Sequence, residues 1–284
     1  MNSISIEAPA KLNLGLQITG MRADGFHSLA SHFTKITLSD TLDVTLTGKK
    51  NISISCSGIE VPTDKNNIIW RAASLFKKAS GYSRGVNIHL QKNIPSPGGL
   101  GGGSSDAAST LLALQELLNT NLNLFKIAEQ LGSDVPFFLL NSTSAFVTGR
   151  GEILKPIDLP QFHCILVNSG EQVPTPLAYR LWDQHNKALT DTQVIHNNTA
   201  YNFGAWHEGK PFPVKLDNSF FVTLQSSFPG FSGVAEKLSE VTDNWGLSGS
   251  GPVFYALFRS SAETEKAKKH LSGKFPWMFC CQSR

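Results

Sequence analysis

The chain has 284 residues, 40% of them hydrophobic and 17% charged, which supports one large or two modest folded domains and excludes fibrous and disordered classes. Lysine and arginine number 25 against 22 acidic residues, a net charge of +3 without a dense basic run, so nucleic-acid binding is not expected. A small anion held by local geometry stays open.

The four cysteines, Cys56, Cys164, Cys280 and Cys281, lack C-x-x-C spacing. That pattern fits neither a disulfide framework nor a zinc knuckle and points to a reducing compartment. The first twenty residues lack the basic start and unbroken apolar stretch of a signal peptide, and the longest apolar run, Val253 to Phe258, is only strand-length. The chain therefore reads as soluble and cytoplasmic, with no membrane, nucleic-acid or protein partner indicated.

In chain order, the first 60 residues predict strands over SISIEA, KLNLGLQITG, LASHFTKITL, TLDVTL and NISISC, with turn signals at Asp24-Gly25 and Thr47-Gly48. Strict alternation from Ala10 to Ile18 puts Ala10, Leu12, Leu14, Leu16 and Ile18 on one face, and Lys11, Asn13 and Gln17 on the other. A helix is expected from Asn67 to Ala79 with a stop at Gly81, then a strand from Gly85 to Gln91. The run from Ile94 to Asp106 holds five glycines in six positions and leads into a helix striped by Ala107, Leu111, Leu114 and Leu118. A short helix from Asn123 to Leu131 ends at Gly132, and Ser133-Asp-Val-Pro136 has the form of another helix start. Strands SAFVTG and EILKPI close a first domain, 1–158; a second, 159–284, opens with the strand Phe162 to Asn168. Residues 184–215 read as an exposed, partly irregular insertion. After it come a helix (Gly233 to Val241), a strand (Val253 to Phe258), a helix (Ala262 to Leu271) and a strand (Pro276 to Cys280).

A glycine-rich loop entering a helix exposes backbone N–H groups with no Cβ in the way and the positive end of the helix dipole behind them, so phosphate is the natural guest. Gly98 to Ser105 has this form, and Ser104 and Ser105 are placed to cap the helix or add hydroxyl contacts. Walker A and G-x-G-x-x-G spacings both fail here; a mobile surface loop is the bland alternative. Asp106, in the expected first helical turn, is either a dipole-complementing acid or a partner for a divalent cation next to the phosphate. Asp134 is open between helix N-cap and catalytic acid, Lys11 between solvated strand lysine and functional cation, and His27 between surface histidine and ligand contact.

Five segments carry a resemblance: Pro9-Ala-Lys-Leu-Asn-Leu-Gly-Leu16 with Arg22-Ala-Asp-Gly-Phe-His27; Pro95-Ser-Pro-Gly-Gly-Leu-Gly-Gly-Gly-Ser-Ser-Asp-Ala-Ala108; Gly132-Ser-Asp-Val-Pro136; and Leu247-Ser-Gly-Ser-Gly-Pro252. In this order they resemble the 4-diphosphocytidyl-2-C-methyl-D-erythritol kinase family, part of the galactose, homoserine and mevalonate kinase superfamily. The glycine loop and the late Gly-Ser-Gly are shared across the superfamily; the opening motif and triple-glycine loop are more specific. The resemblance implies an α+β fold of two domains, an N-terminal ribosomal-protein-like α/β domain that binds ATP and a C-terminal ferredoxin-like substrate domain, with the active site in the cleft. It implies ATP-dependent phosphorylation of a hydroxyl of the cytidyl alcohol, with Mg²⁺ bridging the β- and γ-phosphates and no dedicated protein cage for the metal.

By residue matching, the resemblance makes Lys11 and Asp134 catalytic. An ammonium near a carboxylate keeps the acid ionised, and Lys11 can also offset charge on the transferring phosphoryl. Pro95, Gly98, Gly99, Leu100, Gly101, Gly102, Gly103, Ser104 and Ser105 would hold the ATP phosphates, with Asn67 near the adenine. Asn13 and His27 would face the cytidyl substrate, the rings of Phe26 and Tyr179 would sandwich cytosine, and Thr175, Gly249, Ser250 and Gly251 would complete the substrate site. Three departures stand out: phenylalanine at position 26 where tyrosine is usual, with Tyr179 where phenylalanine can occur; Asn218-Ser-Phe-Phe221 for an Asn-Asp-apolar-Glu pattern; and Ser96-Pro97 at the start of the loop. The rival readings are a sister kinase for homoserine or mevalonate, which have no base to stack, and a catalytically silent nucleotide sensor.

Overall fold

A computed structural model describes residues 2–186, 212 and 216–284. The chain divides into two units, one formed by Met1–Ala10, Leu38–Ser96 and Gly101–Asn141, the other by Lys11–Thr37, Pro97–Leu100 and Ser142–Arg284. Strands β1 (Ser3–Met21) and β2 (His27–Thr47) each run from one unit into the other. They replace four of the expected N-terminal strands. Pro9 and the Ser39-Asp40 pair, which fall between expected strands, lie inside continuous strands; Asp40 is wholly buried and its carboxylate is satisfied by distant groups.

In the first unit, β2 pairs antiparallel with β4 (Gly85–Lys92), from Thr41↔Gln91 to Thr47↔Gly85, and β4 pairs parallel with β3 (Ile52–Gly58). Parallel neighbours need a crossover, and α1 (Ile68–Ser80) supplies it. Its limits follow the sequence signals: the Asn67 side chain caps Ile69 N–H and Gly81 takes the left-handed conformation, φ 71°. Helix α2 (Gly102–Leu117) packs on α1. Leu42, Val44, Ile88, Leu90, Ala72, Phe76, Leu111 and Leu114 are buried core residues of this unit. Two short helices follow, α3 (Leu124–Ala128), shorter than expected, and α4 (Val135–Phe138).

The second unit contains β5 (Ser144–Thr148), paired with the first half of β2 from Ser31↔Val147 to Thr34↔Ser144, and β6 (Ile153–Pro156) paired with β5. Its main sheet has the order β10-β7-β9-β8, all antiparallel, from β7 (His163–Asn168), β8 (Trp245–Leu247), β9 (Val253–Phe258) and β10 (Trp277–Gln282). Helices α5 (Thr175–His185), α6 (Ser219–Ser227) and α7 (Pro229–Ser239) lie between β7 and β8, and α8 (Ser261–Leu271) lies between β9 and β10. This strand order and the β-α-β-β-α-β succession are ferredoxin-like. Ile165, Val167, Phe220, Phe231, Phe254 and Leu271 belong to one apolar core. Strand β8 and helices α5 and α6 have no counterpart among the expected elements. Of residues 184–215, read as an insertion, only 184–186 and 212 are among the described residues. Among those residues no helix is long and apolar enough to cross a membrane.

Candidate active site

The glycine loop ends in the first unit as a helix start. Gly101 is left-handed, φ 68°, and the first helical hydrogen bond runs from Ser105 N–H to Gly101 O at 2.9 Å. Helix geometry therefore leaves the amides of Gly102, Gly103 and Ser104 without an intrahelical acceptor, the arrangement suited to an anion. A Cβ on Gly103 would meet only Ile68 Cγ2, at 3.7 Å.

Three expectations change here. The helix begins at Gly102, so neither Ser104 nor Ser105 is its cap. Ser105 is 0% exposed and its Oγ has no hydrogen-bond partner among the described residues, while Ser104 stays part-exposed. Asp106 is the fifth residue of α2 rather than a first-turn acid, and its Oδ2 accepts from the Lys92 ammonium at 2.7 Å. Burial pushes the Asp106 carboxyl up to about 7, with Asp40 adding to the effect and Lys92 opposing it.

Two other residues of this unit were singled out. Asn67 is a helix cap with both amide atoms engaged: Oδ1 accepts from Ile69 N–H at 2.8 Å and Nδ2 donates to Pro62 O at 2.6 Å. Asp134 occupies the N-cap position of α4, but its side chain makes no capping hydrogen bond. The helix-cap explanation of this half-buried aspartate thus fails; the Ser133 hydroxyl donates to its Oδ1 at 3.5 Å.

In the second unit the other half of the loop meets β1. Lys11, 3% exposed, donates from Nζ to Gly99 O at 2.9 Å and to Asn13 Oδ1, and its ammonium lies 4.7 Å from the centre of the Phe33 ring. A solvated strand lysine is excluded. Asn13 is itself fixed: Nδ2 donates to Ser31 Oγ at 3.1 Å, and Ser31 Oγ donates to Gly15 O at 2.5 Å. Gly99 O also accepts from Ser248 Oγ at 2.9 Å, and the Lys11 N–H donates to Leu100 O at 2.9 Å. Gly99 must be glycine, because its φ is +69° and a Cβ would fall 2.0 Å from Ser248 O.

The late Gly-Ser-Gly loop is held by Asn218, whose Nδ2 donates to Leu247 O at 2.8 Å and Gly249 O at 2.9 Å while its Oδ1 caps Phe220 N–H. Thr175 Oγ1 and Ser250 Oγ are 3.0 Å apart, so the structure brings these two predicted residues together.

Among the residues expected around cytosine, His27 and Tyr179 stack on each other and Phe26 is exposed. His27 stacks on Tyr179, centroids 4.8 Å apart at 23°, meets Trp182 edge-on at 5.4 Å, and places Nε2 2.7 Å from Asp183 Oδ1. Phe26 is 56% exposed and lies under the Arg150 guanidinium, 4.9 Å from the ring centre. It sits at the tip of a turn set by Asp24, whose Oδ1 accepts the Phe26 N–H at 3.2 Å; that bond is the main reason the Asp24 carboxyl lies below its usual value. Ser31, Trp182, Asp183, Asn218 and Ser248 were not anticipated as site residues; of these, Ser248 lies inside the recognised Leu247 to Pro252 motif and Asn218 opens the Asn218 to Phe221 segment compared with the family pattern.

The GHMP kinases N terminal domain family matches residues 67–142. A 4-diphosphocytidyl-2-C-methyl-D-erythritol kinase from Chlorobium phaeobacteroides is 36% identical over 283 residues, covering 97% of this chain and 96% of the relative. One from Deinococcus radiodurans is 35% identical, covering 98% and 92%. Among solved structures, a 4-(cytidine 5'-diphospho)-2C-methyl-D-erythritol kinase superposes with a TM-score of 0.84 at 34% identity over 99% of both chains. Homoserine kinase from Cytophaga hutchinsonii, at 20% identity and a TM-score of 0.70, shares the fold.

Proposed function

The chain belongs to the 4-diphosphocytidyl-2-C-methyl-D-erythritol kinase family, and on that premise we propose that it transfers the γ-phosphoryl group of ATP to a hydroxyl of 4-diphosphocytidyl-2-C-methyl-D-erythritol. The product is the 2-phosphate, in cytoplasmic, non-mevalonate isoprenoid precursor synthesis. One observation carries the reading from the residues themselves: the loop that presents the amides of Gly102, Gly103 and Ser104 also supplies, at Gly99, the carbonyl that orients the buried Lys11 ammonium.

In this mechanism the amides at the start of α2 grip the ATP phosphates, and Pro95, Gly98 and Leu100 shape the loop that leads to them. Asp134 accepts the proton of the attacking hydroxyl as its oxygen bonds to the γ-phosphorus; the bond from that phosphorus to the β–γ bridging oxygen breaks and ADP leaves. Lys11 offsets charge on the transferring group. Mg²⁺ would supply further neutralisation of the phosphate charge beside the start of α2. Asp106 is bonded inward to Lys92. Asn67 serves the adenine end through the backbone it fixes.

For the alcohol, Asn13 and the Thr175–Ser250 pair with Gly249 and Gly251 form the polar contacts. Phe26, His27 and Tyr179 bind the cytosine, His27 by hydrogen bonding because stacking alone tolerates any base. In this division of labour, residues 1–158 bind the nucleotide and 159–284 contribute to the alcohol site. A coupled ADP-release assay with the cytidyl alcohol, homoserine and mevalonate tests the reading. Turnover is expected with the first alone; faster ADP release with either of the others overturns the substrate, and release with none of the three overturns the enzyme.

A further inference from the structure

Against the start of α2 lies a cluster of charges that the proposed reaction does not use. Lys92, the last residue of β4, is 2% exposed, and its Nζ donates to Asp40 Oδ2 at 2.5 Å and to Asp106 Oδ2 at 2.7 Å. The other oxygen of Asp40 accepts the N–H groups of Asn93 at 2.6 Å and Ile94 at 2.9 Å. Among the described residues Asp106 Oδ1 has no hydrogen-bond partner, and Lys92 is the cation that holds this carboxyl group.

These contacts fall on the two flanks of the glycine loop. Residues 92–94 are where the chain leaves β4 toward the loop, and residues 102–106 are where the loop has become helix. At Gly102 a Cβ would come within 2.9 Å of Lys92 Nζ and of Ile94 Cγ2, so glycine there lets the ammonium come up against the helix start. Burying three charges is expensive in desolvation, and apolar residues of similar volume would often fill such a space with equal or greater stability. What they cannot supply is directional bonding to particular amides and oxygens. Burial opposes the charge on Lys92, yet Asp106 and Asp40 outweigh it and hold the ammonium above its usual value.

We propose that Lys92, Asp40 and Asp106 form a charged brace that fixes both flanks of the glycine loop and so holds the Gly102, Gly103 and Ser104 amides in the array that grips a nucleoside triphosphate. The proposal rests on the reading that this loop binds ATP. The three side chains touch no substrate; they are positioning residues, and their effect falls on the nucleotide rather than on the alcohol.

The test is direct binding of the non-hydrolysable analogue AMP-PNP to the full chain by calorimetry, together with KM for both substrates and Tm. Lys92→Met is expected to weaken AMP-PNP binding by about tenfold or more while KM for the cytidyl alcohol stays within about twofold. Asp106→Asn, which still offers an oxygen to Lys92, should stay within about threefold of the parent. If Lys92→Met does not fold, Asp106→Leu, which leaves the Lys92–Asp40 pair in place, is read the same way. A folded variant with lowered Tm but parental AMP-PNP affinity overturns the brace, as do equal increases in both KM values. Failure of the parent itself to bind AMP-PNP overturns the reading of the loop, and the brace with it.

Discussion

Two buried lysines, one in each unit, are held in opposite ways. Lys92 is clasped by two carboxylates at 2.5 and 2.7 Å. Lys11 is held within its own unit by a backbone carbonyl, an asparagine oxygen and the face of Phe33. Two carboxyl groups tie the Lys92 ammonium into the interior of its unit, whereas the Gly99 carbonyl and the Asn13 amide oxygen aim the Lys11 ammonium from the backbone of the glycine loop itself and from its own strand. The difference separates a cation built into the packing from one oriented by the loop.

Removing each charge should separate these roles. Lys92→Met leaves the buried Asp40 and Asp106 carboxyl groups without their cation, and breaking a buried pair of this kind is expected to lower stability by about 3–5 kcal/mol, read as a fall in urea midpoint. Lys11→Met should lower stability much less, by about 1–2 kcal/mol, since Gly99 O keeps its bond from Ser248 Oγ. Its larger effect should be on turnover, a loss of roughly 10²-fold or more at nearly unchanged AMP-PNP affinity. Asp134→Asn should lose roughly 10²-fold in turnover, again without loss of nucleotide binding. Near-parental activity in Lys11→Met, or a stability loss there equal to that of Lys92→Met, would erase the contrast.

The two units also contain buried titrating groups that pull stability in opposite directions with pH. His32, packed against Phe146 at 4.9 Å, has its pKa lowered to about 4 by burial, while the unfolded chain protonates near 6.5. Between those values the unfolded state binds more protons, so this contribution is lost as pH falls, up to about 3 kcal/mol across the window. Asp106 behaves in the reverse sense. Its folded value, raised to about 7, means that the native state keeps a proton the unfolded state releases, and this contribution declines as pH rises from about 4 toward 7. Tm measured from pH 4.5 to 7.5 should lose its acid limb in His32→Gln and its decline toward neutrality in Asp106→Asn. Profiles parallel to the parent's in both variants would remove the assignment.

Much of the fold was legible because its signals are local. Asn67 and Gly81 mark the ends of α1, Gly25 marks the turn between β1 and β2, and the apolar run at 253–258 is β9. Misreadings arose where a polar residue is satisfied from far along the chain. Asp40 falls between two expected strands and is a buried strand residue bonded to Asn93 and Ile94; Lys11 and Asn13 share the polar face of an expected strand and are bonded to Gly99 and Ser31. In the site, the motifs pointed to the loop, Lys11 and Asn13, and to the Thr175–Ser250 meeting through family resemblance alone. Asp183 was invisible because nothing in its neighbourhood announces a histidine partner 156 residues away, and Asn218, noted only within a family pattern, gave no sign of the loop it holds 29 residues on.

The smallest expected effect belongs to the least buried of these side chains. Phe26 projects from a turn tied by Asp24, and the cation–π contact with Arg150 at such an exposed site contributes only about 0.5–1 kcal/mol. Removing its ring should therefore leave Tm nearly unchanged, in contrast to either lysine. If the exposed face stacks on cytosine, Phe26→Ala forfeits one base–aromatic contact, which raises KM for the cytidyl alcohol by roughly tenfold while KM for ATP stays within about twofold. Phe26→Tyr, which keeps the ring, should behave as the parent. Equal increases for both substrates in Phe26→Ala would mean that the ring shapes the protein rather than the base site, and would leave His27 and Tyr179, already stacked on each other, to recognise cytosine without it.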